Sequence, residues 1–135
     1  MLKGIWIVAT FATMYLIATI IGFSTYLLIG PFVMWICVFT LMPVVSALLM
    51  YWYLVKMRIS SEDSLVETCY LVLAWVLLSF CLDAVTYIFI IPKVSHAASN
   101  WTFFRDQSPW IWLSYAVLLV SAYAGHFLHV RRLTA

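Results

Sequence analysis

The chain has 135 residues, of which 67% are hydrophobic and 9% are charged, and its formal net charge is +2. A water-soluble domain usually carries about 25% charged residues, so this composition excludes a soluble protein. The small net charge and the lack of a basic stripe argue against a nucleic-acid partner. The composition therefore predicts an integral membrane protein, and the length predicts a single domain.

Four apolar segments are long enough to cross a bilayer, which takes about 20 residues in a helix. They predict a single integral membrane domain over residues 1–135, with helices at about 5–29, 32–55, 68–91 and 110–130. The predicted fold is an all-α, antiparallel bundle of four transmembrane helices, and two fused helical hairpins are one way to build it. Gly30-Pro31 leaves room only for a tight turn in the first hairpin.

Lys and Arg counts in short loops predict the orientation of the bundle. With the N-terminus in the cytoplasm, five cations lie inside and two lie outside. The inner set is Lys3, Lys56, Arg58, Arg131 and Arg132, and the outer set is Lys93 and Arg105. Both termini are therefore expected to be cytoplasmic. The general shape is that of small bacterial inner-membrane proteins, so we expect a multi-pass protein in that membrane.

The predicted outer loop, residues 93–109, mixes aromatic rings with polar tips in the stretch "NWTFFRDQSPWIW". Such residues suit the headgroup layer, so the loop can be an interfacial anchor. The less favoured alternative is a lid over a cavity that faces outward. The sequence leaves both interpretations open.

An internal repeat is indicated by "GFSTYLLIGP", which starts at Gly22, and "DAVTYIFIIP", which starts at Asp83. Both stretches share Thr-Tyr, four apolar or small positions and a final Pro. Parallel and inverted repeats recur in membrane transporters. The alternative is that tyrosines near the interface and terminal prolines recur for generic reasons.

Small residues are expected to hold the helices together, because burying Leu against Leu gains little free energy in lipid. Ala18 and Gly22 form such a pair four residues apart in the first helix, and Ser121 and Gly125 form another in the fourth. Pro43 is expected to bend the second helix.

Asp83 is the candidate functional residue, since it lies deep in the third apolar segment. An acid at mid-helix costs roughly 2.5–3.5 kcal/mol on insertion, and such residues are functional hypotheses by default. Ser79, Thr86 and Tyr87 are predicted to share its helix face and to line the site. Tyr26 is the counterpart of Tyr87 in the other half of the repeat.

Without a cation at its depth, Asp83 has two possible roles. A protonated acid can donate a hydrogen bond and fasten helices together. A titrating acid can carry a proton or bind a cation or polar ligand.

Other chemistry receives little support from the sequence. The chain has three cysteines, Cys37, Cys69 and Cys81, and an odd number argues against a disulfide framework. We interpret them as small buried hydrophobic residues. His126 and His129 share a helix face, but two ligands make a weak metal site, so no metal or cofactor is expected. Sequence motifs of hydrolases, zinc proteases or P-loops are missing, and we expect no enzyme.

Two functions are favoured over a third class, a membrane enzyme acting on a lipid or quinone, for which the sequence offers no recognisable nucleophile, base or metal constellation. The first is a small permease or channel-like transporter that uses Asp83 as its proton, cation or ligand site. The second is a non-catalytic accessory or scaffolding subunit in which Asp83 is a structural hydrogen-bond partner. The expected partners are the lipid bilayer and either a second copy of the chain or another membrane protein, because four helices enclose little space.

Overall fold

The computed structural model describes residues 2–134, and most of them are helical. The elements in chain order are α1 (Leu2–Leu28), α2 (Pro31–Lys56), α3 (Ser61–Asp83), a π-helical segment (Ala84–Ile90), α4 (Ile91–Val94), α5 (Phe103–Asp106) and α6 (Trp110–Thr134). The third helix, the π-helical segment and α4 follow one another without a break, and together they form a single rod of 34 residues.

Four of these units are long and apolar enough to cross a membrane: α1, α2, the Ser61–Val94 rod and α6. The predicted all-α membrane bundle is therefore confirmed. Consecutive spans alternate in direction, so the bundle has two different ends. We call the end that carries the turn at residues 29–30 and the loop at 95–109 the loop end. The opposite end, with the turn at residues 57–60, is the terminal end.

The four spans form a ring in the order α1, α2, α6, α3, so the two helices of each hairpin are neighbours. Helix α2 packs against α1 on one side and, most extensively, against α6 on the other, and α6 packs against α3. Backbone contact between α1 and α3 is much less extensive. Because consecutive spans are antiparallel, α2 runs parallel to α6 and α1 runs parallel to α3. The two hairpins thus lie side by side.

Helix α3 begins seven residues earlier than the sequence pattern indicates, at Ser61 instead of residue 68. The cause is an N-terminal cap: the Ser60 hydroxyl accepts a hydrogen bond from the Asp63 backbone N–H at 3.2 Å and donates one to the Asp63 carboxylate at 2.8 Å. Glu62 and Asp63 also lie in the first turn, where negative charge is favoured. Most of the polar stretch predicted as a loop is therefore helical.

The core occupies the half of the bundle nearer the terminal end. Its largest fully buried side chains are Trp75, Tyr53, Met50, Leu54 and Leu71. The outer faces of all four spans expose large apolar side chains, among them Leu16, Ile20, Leu48, Leu77 and Val120. Such faces are stable only in a bilayer, so lipid contact follows from the fold.

The two predicted small-residue pairs pack differently. A Cβ atom added at Gly125 would overlap the carbonyl oxygen of Ala47 on α2, whereas one at Gly22 would meet only Met34 Cγ, 4.0 Å away. Ser121 is buried in the same helix as Gly125, and Ala18 is half-buried. Helix α2 continues through Pro43 as one element.

Candidate functional site

Asp83 lies where three helices meet. The Tyr15 hydroxyl of α1 donates to one carboxylate oxygen at 2.9 Å, and the Tyr115 hydroxyl of α6 donates to the other at 2.6 Å. The carboxyl group is half-buried, and the distances are those of well-formed O–H···O bonds. One side chain thus connects α3 to two spans that are far apart in the sequence.

The partners of Asp83 are neutral groups. Among the residues described, the ion pairs join Lys3 to Glu67 and Arg105 to Asp106, and neither pair includes Asp83 or its two tyrosine partners. Phenol hydroxyls can stabilise a carboxylate by hydrogen bonding, but they do not neutralise its charge. Asp83 can therefore change its charge without breaking an ion pair.

The helix changes its winding directly after the acid. From Ala84 to Ile90 the backbone is π-helical, and the Ile91 N–H donates to the Thr86 carbonyl, five residues back. π-Helical stretches are rare and are found frequently at functional sites. The wider turn also moves Thr86 and Tyr87 away from the positions that an ideal α-helix would give them relative to Asp83.

The predicted polar stripe is only partly assembled around the acid. Ser79 is buried, and Thr86 and Tyr87 are half-buried on the same rod. The hydrogen bonds to Asp83 nevertheless come from α1 and α6, not from this stripe. Tyr26, the proposed counterpart of Tyr87, is 50% exposed near the loop end of α1.

Sequence reasoning missed Tyr15 and Tyr115, the two partners that matter most. A signal was present in Tyr15, which lies near the middle of α1. Tyrosines in membrane helices are enriched at the interfaces, and a buried hydroxyl usually finds a hydrogen-bond partner. A tyrosine at mid-depth therefore indicates a polar partner on another helix.

A second carboxylate, Glu67, lies at the terminal end of α3. It is buried, accepts a hydrogen bond from the Tyr53 hydroxyl of α2 at 2.6 Å, and pairs with Lys3 of α1 at 2.6 Å. Glu67 and Asp83 are separated by about 24 Å along the helix. Together they connect α3 to every other span, and both bridge the α1/α3 seam where backbone packing is sparse.

Among the described residues, three buried nitrogens have no hydrogen-bond partner: Nε1 of Trp75 and Nδ1 of both His126 and His129. The Nε2 atom of His129 lies 2.9 Å from the Ile59 carbonyl oxygen. Within residues 2–134, no group of three or more His, Cys, Asp or Glu side chains lies close enough to hold a metal ion. The predicted histidine pair is thus assembled, but without further ligands.

Two of the hollows on the surface of the described bundle are large enough to consider as sites. One, of about 640 Å³, lies between α2 and α6 and is bordered by Pro43, Ala47 and Ser121 among other residues. The other, of about 560 Å³, lies near the loop end beside Trp35 and Trp110. Asp83 borders neither of them.

Comparisons with known protein families, with curated proteins and with solved structures find no match to this chain. The function of the protein must therefore be inferred from the residues of the site itself.

Proposed function

We propose that this protein is a small membrane transporter in which Asp83 binds and releases the proton that drives or accompanies transport. The observation that carries the proposal is the half-buried carboxylate that hydrogen-bonds to two phenol hydroxyls and pairs with no cation within residues 2–134. Intramembrane acids in such settings are characteristic of proton relays and transport sites.

The hydrogen bonds around Asp83 depend on its charge. An ionised carboxylate only accepts, so it satisfies both the Tyr15 and Tyr115 hydroxyls at once. A protonated carboxyl has one O–H donor, so one of the tyrosines must reverse its hydroxyl or accept a weaker bond. Protonation therefore weakens a contact of α3 with α1 or α6, and this gives a direct physical link between proton binding and helix movement.

The titratable groups that face Asp83 are few. Tyr15 comes from α1, Tyr115 comes from α6, and Tyr87 lies on the same rod. All three are neutral over a wide pH range around 7. A change of charge at this site is therefore a change at Asp83.

The bundle interior supports an oligomeric transporter. The large side chains of Trp75, Tyr53 and Leu71 fill the space between the spans toward the terminal end. A path across the membrane is then easiest to form beside a second copy of the chain, as closed dimers are the commonest assembly. The expected dimer is tested by measuring the mass of the protein in detergent or nanodiscs.

The second candidate function is an accessory or scaffolding subunit. It is favoured by one specific observation: both carboxylate oxygens of Asp83 have partners inside the chain, and neither surface hollow reaches them. In that case Asp83 fastens three helices together and does not exchange protons.

The two functions are separated by Asp83→Asn in purified, reconstituted protein. Asparagine keeps the shape and most of the hydrogen-bonding capacity of aspartate, but it cannot titrate. Proton flux is measured in liposomes with an entrapped pH dye after a pH step. Glu62→Gln, an exposed acid on the same helix, is the control.

For a transporter we expect wild-type and Glu62→Gln flux well above that of protein-free liposomes, and Asp83→Asn flux at the protein-free level. Equal flux in wild type and Asp83→Asn contradicts the proposal. If none of the variants exceeds protein-free liposomes, proton transport is also excluded. Disrupted folding in Asp83→Leu together with normal folding in Asp83→Asn then supports the scaffolding function.

A further inference from the structure

The loop end of the bundle carries a folded segment directly above Asp83. Residues 95–109 turn back onto the spans instead of projecting away, and the Asn100 N–H donates to the Ile88 carbonyl at 3.1 Å. Ile88 is only five residues beyond Asp83, which corresponds to about 7 Å along the rod. The loop backbone therefore comes to within roughly two helical turns of the acid.

The inner side of this segment is aromatic and buried. Phe103 of α5 is 9% exposed, and its ring lies parallel to that of Tyr87, with 4.6 Å between centroids and 5° between planes. Phe103, Ile88 and Ile111 form a buried cluster separate from the main core, and the Asp83 partner Tyr115 packs against it. The aromatic layer therefore lies between the loop-end surface and the acid.

The outer side of the segment is polar. The Thr102 hydroxyl donates to the Asp106 carboxylate at 2.6 Å, and it lies 3.1 Å from the Asn100 side-chain oxygen. Arg105 is exposed and pairs with Asp106 at 3.6 Å. The polar face of the segment thus suits water or lipid headgroups, and the aromatic face suits the bundle interior. A segment that opens and closes over a site needs both faces.

The barrier on the other side of Asp83 is much thicker. Toward the terminal end, Trp75, Val72 and Leu71 follow on α3 at about 12–18 Å from the acid, and all are at most 2% exposed. Toward the loop end there is one aromatic layer, centred on Phe103. The shortest route between Asp83 and water therefore passes through the loop end.

We propose that residues 95–109 form a lid that controls access of water and protons to Asp83, and that the Phe103–Tyr87 stack is its closing contact. The lid gives the transport proposed above a direction, because Asp83 then exchanges protons with the loop-end side. Only this link to the direction of transport rests on the proposed function. The access route itself is tested without any transport measurement.

The test uses Asp83→Cys in the full-length chain, with Cys37, Cys69 and Cys81 replaced by Ala. The protein is reconstituted in liposomes of known orientation, and a membrane-impermeant maleimide is added to one side. With the lid closed we expect slow labelling from either side. Adding Phe103→Ala should raise the labelling rate from the loop-end side about tenfold, because an aromatic stack and a buried ring are lost.

Trp101→Ala is the matched control: Trp101 is an aromatic residue of the same loop, but it is 71% exposed and contacts Phe89 instead of Tyr87. It should leave the labelling rate unchanged. Phe103→Leu keeps apolar bulk without the ring stack, so it should give an intermediate rate and remain informative if Phe103→Ala does not fold. Folding is checked by circular dichroism and gel filtration.

Three outcomes contradict the lid: faster labelling from the terminal-end side, no effect of either Phe103 variant, or an equal effect of Trp101→Ala. The lid and the transport proposal can fail separately. Gated labelling without proton flux in the wild type leaves the lid in place and excludes proton transport. Proton flux that depends on Asp83 without gated labelling supports proton transport and excludes the lid.

Discussion

Replacing Gly125 by Ala should force α2 and α6 apart. The new Cβ atom would overlap the Ala47 carbonyl oxygen, and it would lie 2.8 Å from Met50 Cβ and 3.0 Å from the Tyr51 backbone nitrogen. Carbon atoms pack best at about 3.5–4.0 Å, so the contact with Met50 is too short by about 1 Å. Two of the three obstacles are backbone atoms of a helix, and they can move only if the helices separate.

The magnitude follows from overpacking, which usually costs about 1–3 kcal/mol in a well-packed core. Gly22→Ala is the matched control, because its Cβ atom would meet only Met34 Cγ at 4.0 Å. Both substitutions gain the same helix propensity, about 1 kcal/mol for Gly to Ala. The difference between the two variants therefore isolates the packing cost. We expect Gly125→Ala to be less stable than Gly22→Ala by about 1–3 kcal/mol.

The free energy of unfolding is measured by SDS titration in mixed micelles, with helicity followed by circular dichroism. Gly22→Ala should match wild type or exceed it slightly. Equal stability of the two alanine variants would refute the close approach of α2 and α6 at Gly125.

Three further substitutions test the polar contacts by the same unfolding measurement. Tyr115→Phe removes a donor from Asp83 and should lower the free energy of unfolding by about 1–3 kcal/mol, because a half-buried acceptor loses one of its two partners. Tyr53→Phe should cost a similar amount, about 1–3 kcal/mol, at Glu67 for the same reason. Ser60→Ala removes the cap of α3 and should cost about 0.5–2 kcal/mol.

Tyr26→Phe is the control for both tyrosine variants, since Tyr26 is 50% exposed and takes no part in either carboxylate contact. If Tyr115→Phe or Tyr53→Phe is no less stable than Tyr26→Phe, the corresponding carboxylate contact contributes nothing to folding. Unchanged stability in Ser60→Ala would show that α3 does not depend on its cap.

The four spans could be predicted because each depends on a local property, the length of an apolar run. The start of α3 could not be predicted from hydropathy, because Ser60 and the acids that follow it are polar and still favour a helix at its N-terminus. Glu67 was placed in a loop for the same reason. Its contacts are with Tyr53, on the preceding helix, and with Lys3, 64 residues earlier, and hydropathy relates neither of them to Glu67.

The importance of Asp83 is visible in the sequence, whereas its partners are not. Tyr15 lies 68 residues before it and Tyr115 lies 32 residues after it, and no local pattern relates them. The pattern instead favoured Tyr87, four residues away, but the π-helical winding and the Phe103 stack give that ring a different environment. Gly22 and Gly125 occur in the same spacing motif, and only the packing of complete helices distinguishes them.

The partners of Asp83 also imply an order of events during synthesis. When α3 enters the membrane, the Tyr15 hydroxyl is already present on α1, so the acid has one partner at once. Tyr115 is translated about 2–6 s later at ordinary rates of synthesis. The three spans already inserted must therefore hold Asp83 through Tyr15 of α1 alone during that interval, and arrival of α6 completes the site. Defects in Tyr15 should consequently appear during biogenesis, whereas defects in Tyr115 should appear only in the finished protein.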